Sequence, residues 1–199
     1  MRVMVFLGLI LLLGCLSTTQ PESTTTTTQV KAKMNTHVVL ETTKGDIVIK
    51  LFDSEAPKTA ENFVKYVEDG FYEGTIFHRI IPDFMIQGGG FTVEGIRKDT
   101  RPPIPIESDN GLKNNKGFIA MARTSDPDSA TSQFFINTKD NDFLNYKPGY
   151  AGYTVFGEVV EGLDVVSEIE SQKTRRNGRH EDWPQQPTVI TKAYVKEET

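Results

Sequence analysis

The sequence predicts a mainly β fold, a closed β-barrel whose open ends are plugged by two α-helices. Three observations carry this. From His37 onward, apolar and polar residues alternate with period two over short runs. Glycine-bearing turns separate those runs, and only two segments switch to helical spacing.

The first run, "HVVLETTKGDIVIKLF", reads as a hairpin: Val38 to Glu41, a turn around Lys44 and Gly45, and a return with Ile47, Ile49 and Leu51 on one face. "SEAPKTAENFVKYVEDG" follows as a helix. Pro57 stands in its first turn, where a missing N–H does no harm; Ala60, Phe63, Val64 and Val67 share a face, and Gly70 ends it. Strands are then expected at Phe77 to Ile81 and Phe84 to Gly88. Alternation puts Phe77, Arg79 and Ile81 on one side with His78 and Ile80 on the other, and sets Phe84, Ile86 and Gly88 against Met85 and Gln87. Gly88, Gly89 and Gly90 open no helix and precede no Lys-Ser/Thr, so they mark a bend or a close backbone approach rather than a phosphate loop. Further strands are expected at Gly117 to Arg123, Gln133 to Asn137, Thr154 to Val159 and Thr188 to Val195. In "EGLDVVSEIES", Leu163, Val166 and Ile169 share a helical face with Val165 alongside. The segment 171–187, with Lys173, Arg175, Arg176 and Arg179, reads as a solvated basic loop. No repeat and no second domain is visible.

At 199 residues, 37% hydrophobic and 25% charged, the chain suits one globular domain plus an additional segment. A formal charge of -5 argues against a nucleic-acid partner. That segment is N-terminal. "MRVMVFLGLILLLGC" holds an apolar run from Val3 to Leu13, which as a helix covers roughly 17 Å against the ~30 Å of a bilayer core, so it reads as a signal peptide over residues 1–14. "LLGC" resembles a lipobox, which makes Cys15 a lipid-attachment site. The threonine-rich stretch to Thr36 is then a tether, and 37–196 the folded domain. Export to the extracytoplasmic face of a membrane is the expected address. With Cys15 in the anchor, the domain has neither a disulfide nor a thiol nucleophile.

Other chemistry finds little support. Three histidines stand at no metal-ligand spacing, "SDPDSATS" lacks the rest of a calcium loop around Asp126 and Asp128, and no nucleophile elbow is present. What remains is an arginine among apolar residues. Either Arg79, Gln87 and Gln133 rim a shallow apolar pocket, or Arg79 is a core residue paired with an internal carboxylate.

"FHRIIPDFMIQGGGFT" (77–92), "GFIAMART" (117–124), "SATSQFFINT" (129–138) and "YTVFGEVVEGLDVV" (153–166) together resemble a cyclophilin, a peptidyl-prolyl cis/trans isomerase. The similarity runs from about His37 to Val195. It implies an eight-stranded antiparallel barrel capped by two helices, with Arg79 and Gln87 catalytic. It places the proline pocket on Phe84, Met85, Phe135 and Leu144, further peptide contacts on Gln133, Phe143 and Tyr153, and a substrate-pairing backbone on Ala122, Arg123 and Thr124. Arg123 in "AMART" resembles the bacterial type. Phe143 and Tyr153 stand where many eukaryotic members carry tryptophan and histidine, which removes a contact to cyclosporin. The resemblance implies a monomer that needs no cofactor or metal and acts on proline-containing polypeptides. The alternative is a non-catalytic module of the same fold that holds proline segments.

Overall fold

The structure is a computed structural model and describes residues 35–196; Cys15 and nearly all of the tether lie outside the described residues. Ten strands and two helices follow one another: β1 (His37–Thr42), β2 (Gly45–Leu51), α1 (Pro57–Glu68), β3 (Arg79–Ile81), β4 (Met85–Gly88), β5 (Phe118–Met121), β6 (Phe134–Asn137), β7 (Val155–Glu161), α2 (Leu163–Glu170), β8 (Thr174–Asn177), β9 (His180–Pro184) and β10 (Ile190–Val195). Eight of the strands form one antiparallel sheet in the order β10-β1-β2-β7-β5-β6-β4-β3. Its backbone already reaches one residue into the expected tether, for Thr36 donates its N–H to Asp53 and accepts from Leu51.

The expected closed barrel is corrected to a curled sheet. β3 and β10 are its two edges, and no ladder joins them. The isolated bridge Ile76↔Val189 spans the seam, with backbone bonds from Gly74 to Ile190 (2.9 Å), from Phe77 to Thr188 (3.2 Å) and from Ile190 to Thr75 (2.8 Å). The reason is local. Just before β3, Thr75 and Ile76 are also engaged with the chain at Thr92 and Phe91, so the strand does not begin until Arg79.

The principal core lies inside the curl. Phe63 from α1 meets Tyr72, Phe134 and Phe156 at ring separations of 5.2 to 5.5 Å, and β1 and β2 add Val38, Leu40, Ile47, Ile49 and Leu51. Each such side chain contributes about 1.5 to 3 kcal/mol on burial. No side chain of α1 itself caps its N-terminus. The Glu107 carboxylate does so from a distance, accepting the N–H groups of Lys58 (3.1 Å) and Thr59 (2.8 Å), where the helix dipole favours an anion. α2 packs against β2, β3 and β4.

Three further expectations change. Phe77 does not share the Arg79 face; it is fully buried in the core beside Ile80, because pleat alternation starts only where β3 starts. Leu163, the first residue of α2, is 45% exposed, while Val166 and Ile169 are buried. The basic segment 171–187 is not a loop. β8 and β9 pair as a hairpin in which Asn177 faces His180 across the two-residue turn Gly178-Arg179, and Gly178 has φ +58°. The arginines are exposed, but Trp183 is buried against Phe91, His180 and His78.

Candidate active site

In β3 and β4 Arg79 stands opposite Gln87 and Ile81 opposite Met85; on the other side of β4, β6 sets Phe135 opposite Gln87. Opposed residues share a face. Ile80, Ile86, Phe134 and Ile136 therefore point into the core, and Arg79, Gln87 and Phe135 onto the reverse face of the sheet. There a second apolar cluster forms. Met85, Ala120, Phe135, Leu144 and Val155 are buried in it, with Phe84, Ala122 and Tyr153 partly buried at its margin.

Leu144 reaches that cluster from a 3-10 turn, Asp142–Leu144, while Phe143 in the same turn is 62% exposed and stacks on Phe84 at 5.5 Å. A rack of buried amides holds this side. Asn141 donates to the Phe84 carbonyl (2.9 Å) and to Asn137 (2.8 Å), and Asn137 donates to the Phe118 carbonyl (3.1 Å). Such groups are costly to bury unless bonded, so the bonds fix where Phe84 and Leu144 stand.

The polar rim is equally ordered. The Gln87 amide donates to the Gln133 side-chain oxygen at 3.0 Å. A Cβ on Gly90 would lie 2.6 Å from Gln133 Cγ, and one on Gly89, whose φ is +76°, would lie 2.8 to 2.9 Å from the Tyr72 and Phe134 rings. The triple glycine thus serves close approach, as the sequence suggests. Ala122 donates its N–H to the Gln133 carbonyl (2.9 Å), and Thr124 binds the Ser129 hydroxyl. Arg123 is committed elsewhere. Its guanidinium donates to the Gly152 carbonyl (2.7 and 2.9 Å) and the Thr124 carbonyl (2.8 Å) and lies over the Tyr153 ring at 4.6 Å, so it braces the pocket wall.

Arg79 does have a carboxylate partner, but not an internal one. Its Nε lies 3.5 Å from the Asp182 carboxylate on β9, with the two side chains 42% and 36% exposed. Among the described residues Arg79 has no other ion pair or hydrogen bond through its side chain. A groove of about 710 Å³ runs from Arg79, Gln87 and Gln133 along Ala122–Thr124, and the β8–β9 hairpin supplies its other wall through Asn177, Arg179, His180 and Trp183. His78, 3% exposed, packs its ring on Phe91 at 4.7 Å. Burial first, then the nearby His180 and Arg79 charges, lower its pKa to about 3. It is neutral near pH 7 and adds no positive charge beside Arg79.

All twelve residues assigned from 79 to 153 thus fall on one face or its rim. Asp182 and the hairpin wall were missed. The Asn177-Gly178 pair was the signal that could have found the hairpin. The arrangement sets an apolar cluster, two side-chain amides and a guanidinium on one face of the sheet.

The model of the cyclophilin type peptidyl-prolyl cis-trans isomerases matches residues 37–195. The chain is 56% identical over 161 residues to a peptidyl-prolyl cis-trans isomerase of Streptomyces antibioticus, covering 79% of this chain and 97% of that one. It is 52% identical over 164 residues to peptidyl-prolyl cis-trans isomerase B of Escherichia coli, covering 80% and 99%. Among solved structures, the cyclophilin-type isomerase of Cryptosporidium parvum superposes with a TM-score of 0.69 at 26% identity, covering 83% of this chain and 99% of that one. The same protein in the presence of the dipeptide Ala-Pro gives a TM-score of 0.68 at 27% identity over 81% and 99%.

Proposed function

The chain belongs to the cyclophilin-type peptidyl-prolyl cis-trans isomerases, enzymes that isomerise X-Pro peptide bonds, and on that premise we propose that Arg79 is its electrostatic catalyst. The observation that carries this is the position of Arg79: opposite Gln87, on the face of the Met85–Phe135–Leu144 cluster, with its charge at the groove surface.

Resonance in the peptide bond sets a rotation barrier of about 18 to 20 kcal/mol. The apolar cluster grips the proline ring, and Gln87 and Gln133 hold the flanking backbone. As the bond twists, conjugation is lost and the prolyl nitrogen gains an accessible lone pair. A guanidinium N–H donated to that nitrogen binds the twisted form more strongly than the planar one, and only such differential binding accelerates the rotation. A 10⁵-fold acceleration requires about 7 kcal/mol off the barrier. A charge-assisted hydrogen bond supplies roughly 1.5 to 3 kcal/mol and orientation in the pocket the rest.

Lysine keeps the charge but loses the planar fork. Arg79→Lys is expected to lower kcat/KM on a short Ala-Pro peptide by about 100-fold with an unchanged circular-dichroism spectrum. Turnover within threefold of wild type would remove Arg79 from the mechanism.

The natural substrates in this reading are proline-containing segments of exported or unfolded chains. Residues 1–14 direct export, and Cys15 carries a lipid that tethers the domain to the outer side of a membrane; the apolar run and the "LLGC" stretch support this.

A further inference from the structure

We propose that Asp182, carried by the β8–β9 hairpin, is a positioning residue for isomerisation: it holds the Arg79 guanidinium at Nε and so aims the two terminal nitrogens at the proline pocket. The proposal rests on the catalytic reading of Arg79 given above.

Three observations carry it. First, Asp182 is the single polar partner of Arg79 among the described residues, and the contact is made through Nε. Arginine is long and rotamer-rich, and this one is 42% exposed, so without a fixed point its fork samples many directions. An ion pair at Nε, 3.5 Å from the carboxylate, leaves the terminal N–H groups free to point at a substrate. Second, Asp182 does not depend on Arg79 for its own position. The next residue, Trp183, is buried against His78, Phe91 and His180, and the Gly178 turn and the β8–β9 register set the rest of the hairpin. The carboxylate is therefore presented to Arg79 by a separately anchored element. Third, a half-exposed ion pair adds little to fold stability. A carboxylate placed there to hold the fold together would be a poor device; one placed there to orient a side chain needs only to be in the right spot. Of the two acids on β9, Glu181 and Asp182, it is Asp182 that meets Arg79.

The test compares wild type with Asp182→Asn, Asp182→Glu and Glu181→Gln, using the full chain and an Ala-Pro peptide, with kcat and KM resolved separately by NMR exchange. Trp183 is the only tryptophan in the protein, so its emission reports whether the hairpin stays docked. Asp182→Asn is expected to lower kcat about tenfold while KM shifts less than twofold and the Trp183 emission maximum stays in place. Asp182→Glu is expected to recover most of the loss, and Glu181→Gln to match wild type. A kcat for Asp182→Asn within twofold of wild type overturns the proposal. So does a red-shifted Trp183 emission with kcat and KM changing together, which would make Asp182 a structural support of the hairpin. Arg79→Lys measured alongside separates the two levels: if it turns over like wild type, the catalytic reading itself fails, whatever Asp182→Asn does.

Discussion

Lowering the pH from 7 to 5 should destabilise this domain through one buried imidazole, His78. Its ring is enclosed by Phe91, Trp183 and His180, and its pKa is lowered to about 3 by burial, with His180 and Arg79 adding to the effect. In the unfolded chain the same group titrates near 6.5. The folded state stays neutral as pH falls through 6.5, while the unfolded state takes up a proton. Stability is therefore lost from about pH 6.5 downward, at about 1.4 kcal/mol per pH unit, until the folded state also protonates near pH 3. Between pH 7 and 5 the loss comes to about 2 kcal/mol, or roughly 4 to 8 °C in Tm for a domain of this size. The measurement is urea unfolding at pH 7, 6 and 5 for wild type and His78→Leu. Other titrating groups act on both proteins alike, so the difference in slope isolates His78. Parallel loss of stability in the two proteins, or a His78 imidazole that titrates near 6.5 by NMR, would refute the reasoning.

Two further outcomes are expected. Gly90→Ala places a methyl 2.6 Å from Gln133 Cγ without any backbone penalty from a positive φ, so Gln133 must swing away and release Gln87; kcat/KM should fall about tenfold with about 1 kcal/mol of stability lost, and wild-type turnover would dissociate that amide pair from catalysis. Cys15→Ser in the full chain should abolish incorporation of a fatty-acid label and shift the protein from the membrane to the soluble fraction. Equal labelling of both forms would dismiss the anchor.

What was legible in the sequence depended on whether a physical signal was local. Period-two geometry alone set Gln87 apart from Ile86 and Phe135 from Phe134, although β4 and β6 are packed on both faces, one in the principal core and one in the second cluster. Both helices were legible from spacing and from Pro57 and Gly70. The open seam was not, because strand patterns do not say whether edges meet; closure was lost to contacts of Thr75 and Ile76 with residues beyond β4. The β8–β9 hairpin was hidden by its own composition. "TRRN" has no apolar residue, since β8 buries little, and the buried residues of the hairpin come late, at Trp183 and Pro184. The Arg79–Asp182 pair joins residues far apart in the chain, and nothing near either one announces it. Arg123 shows the reverse case: it lines the groove, but its guanidinium is spent on Gly152 and Tyr153, a commitment that no nearby sequence signal announces.

The order of strands in the large sheet carries a consequence for how the enzyme is made. β1 lies between β2 and β10, with Val38 opposite Val195, so a strand at the start of the domain waits for one at its very end. A chain emerging from the ribosome can assemble the β3–β4–β6 face with its pocket, yet its edge remains uncovered and Ile76 lacks Val189 until the last segment appears. Pairings of such high contact order form slowly and leave a strand edge open to other chains in the meantime. The β8–β9 hairpin, close to the end of the domain, is therefore among the last parts of the groove wall to arrive.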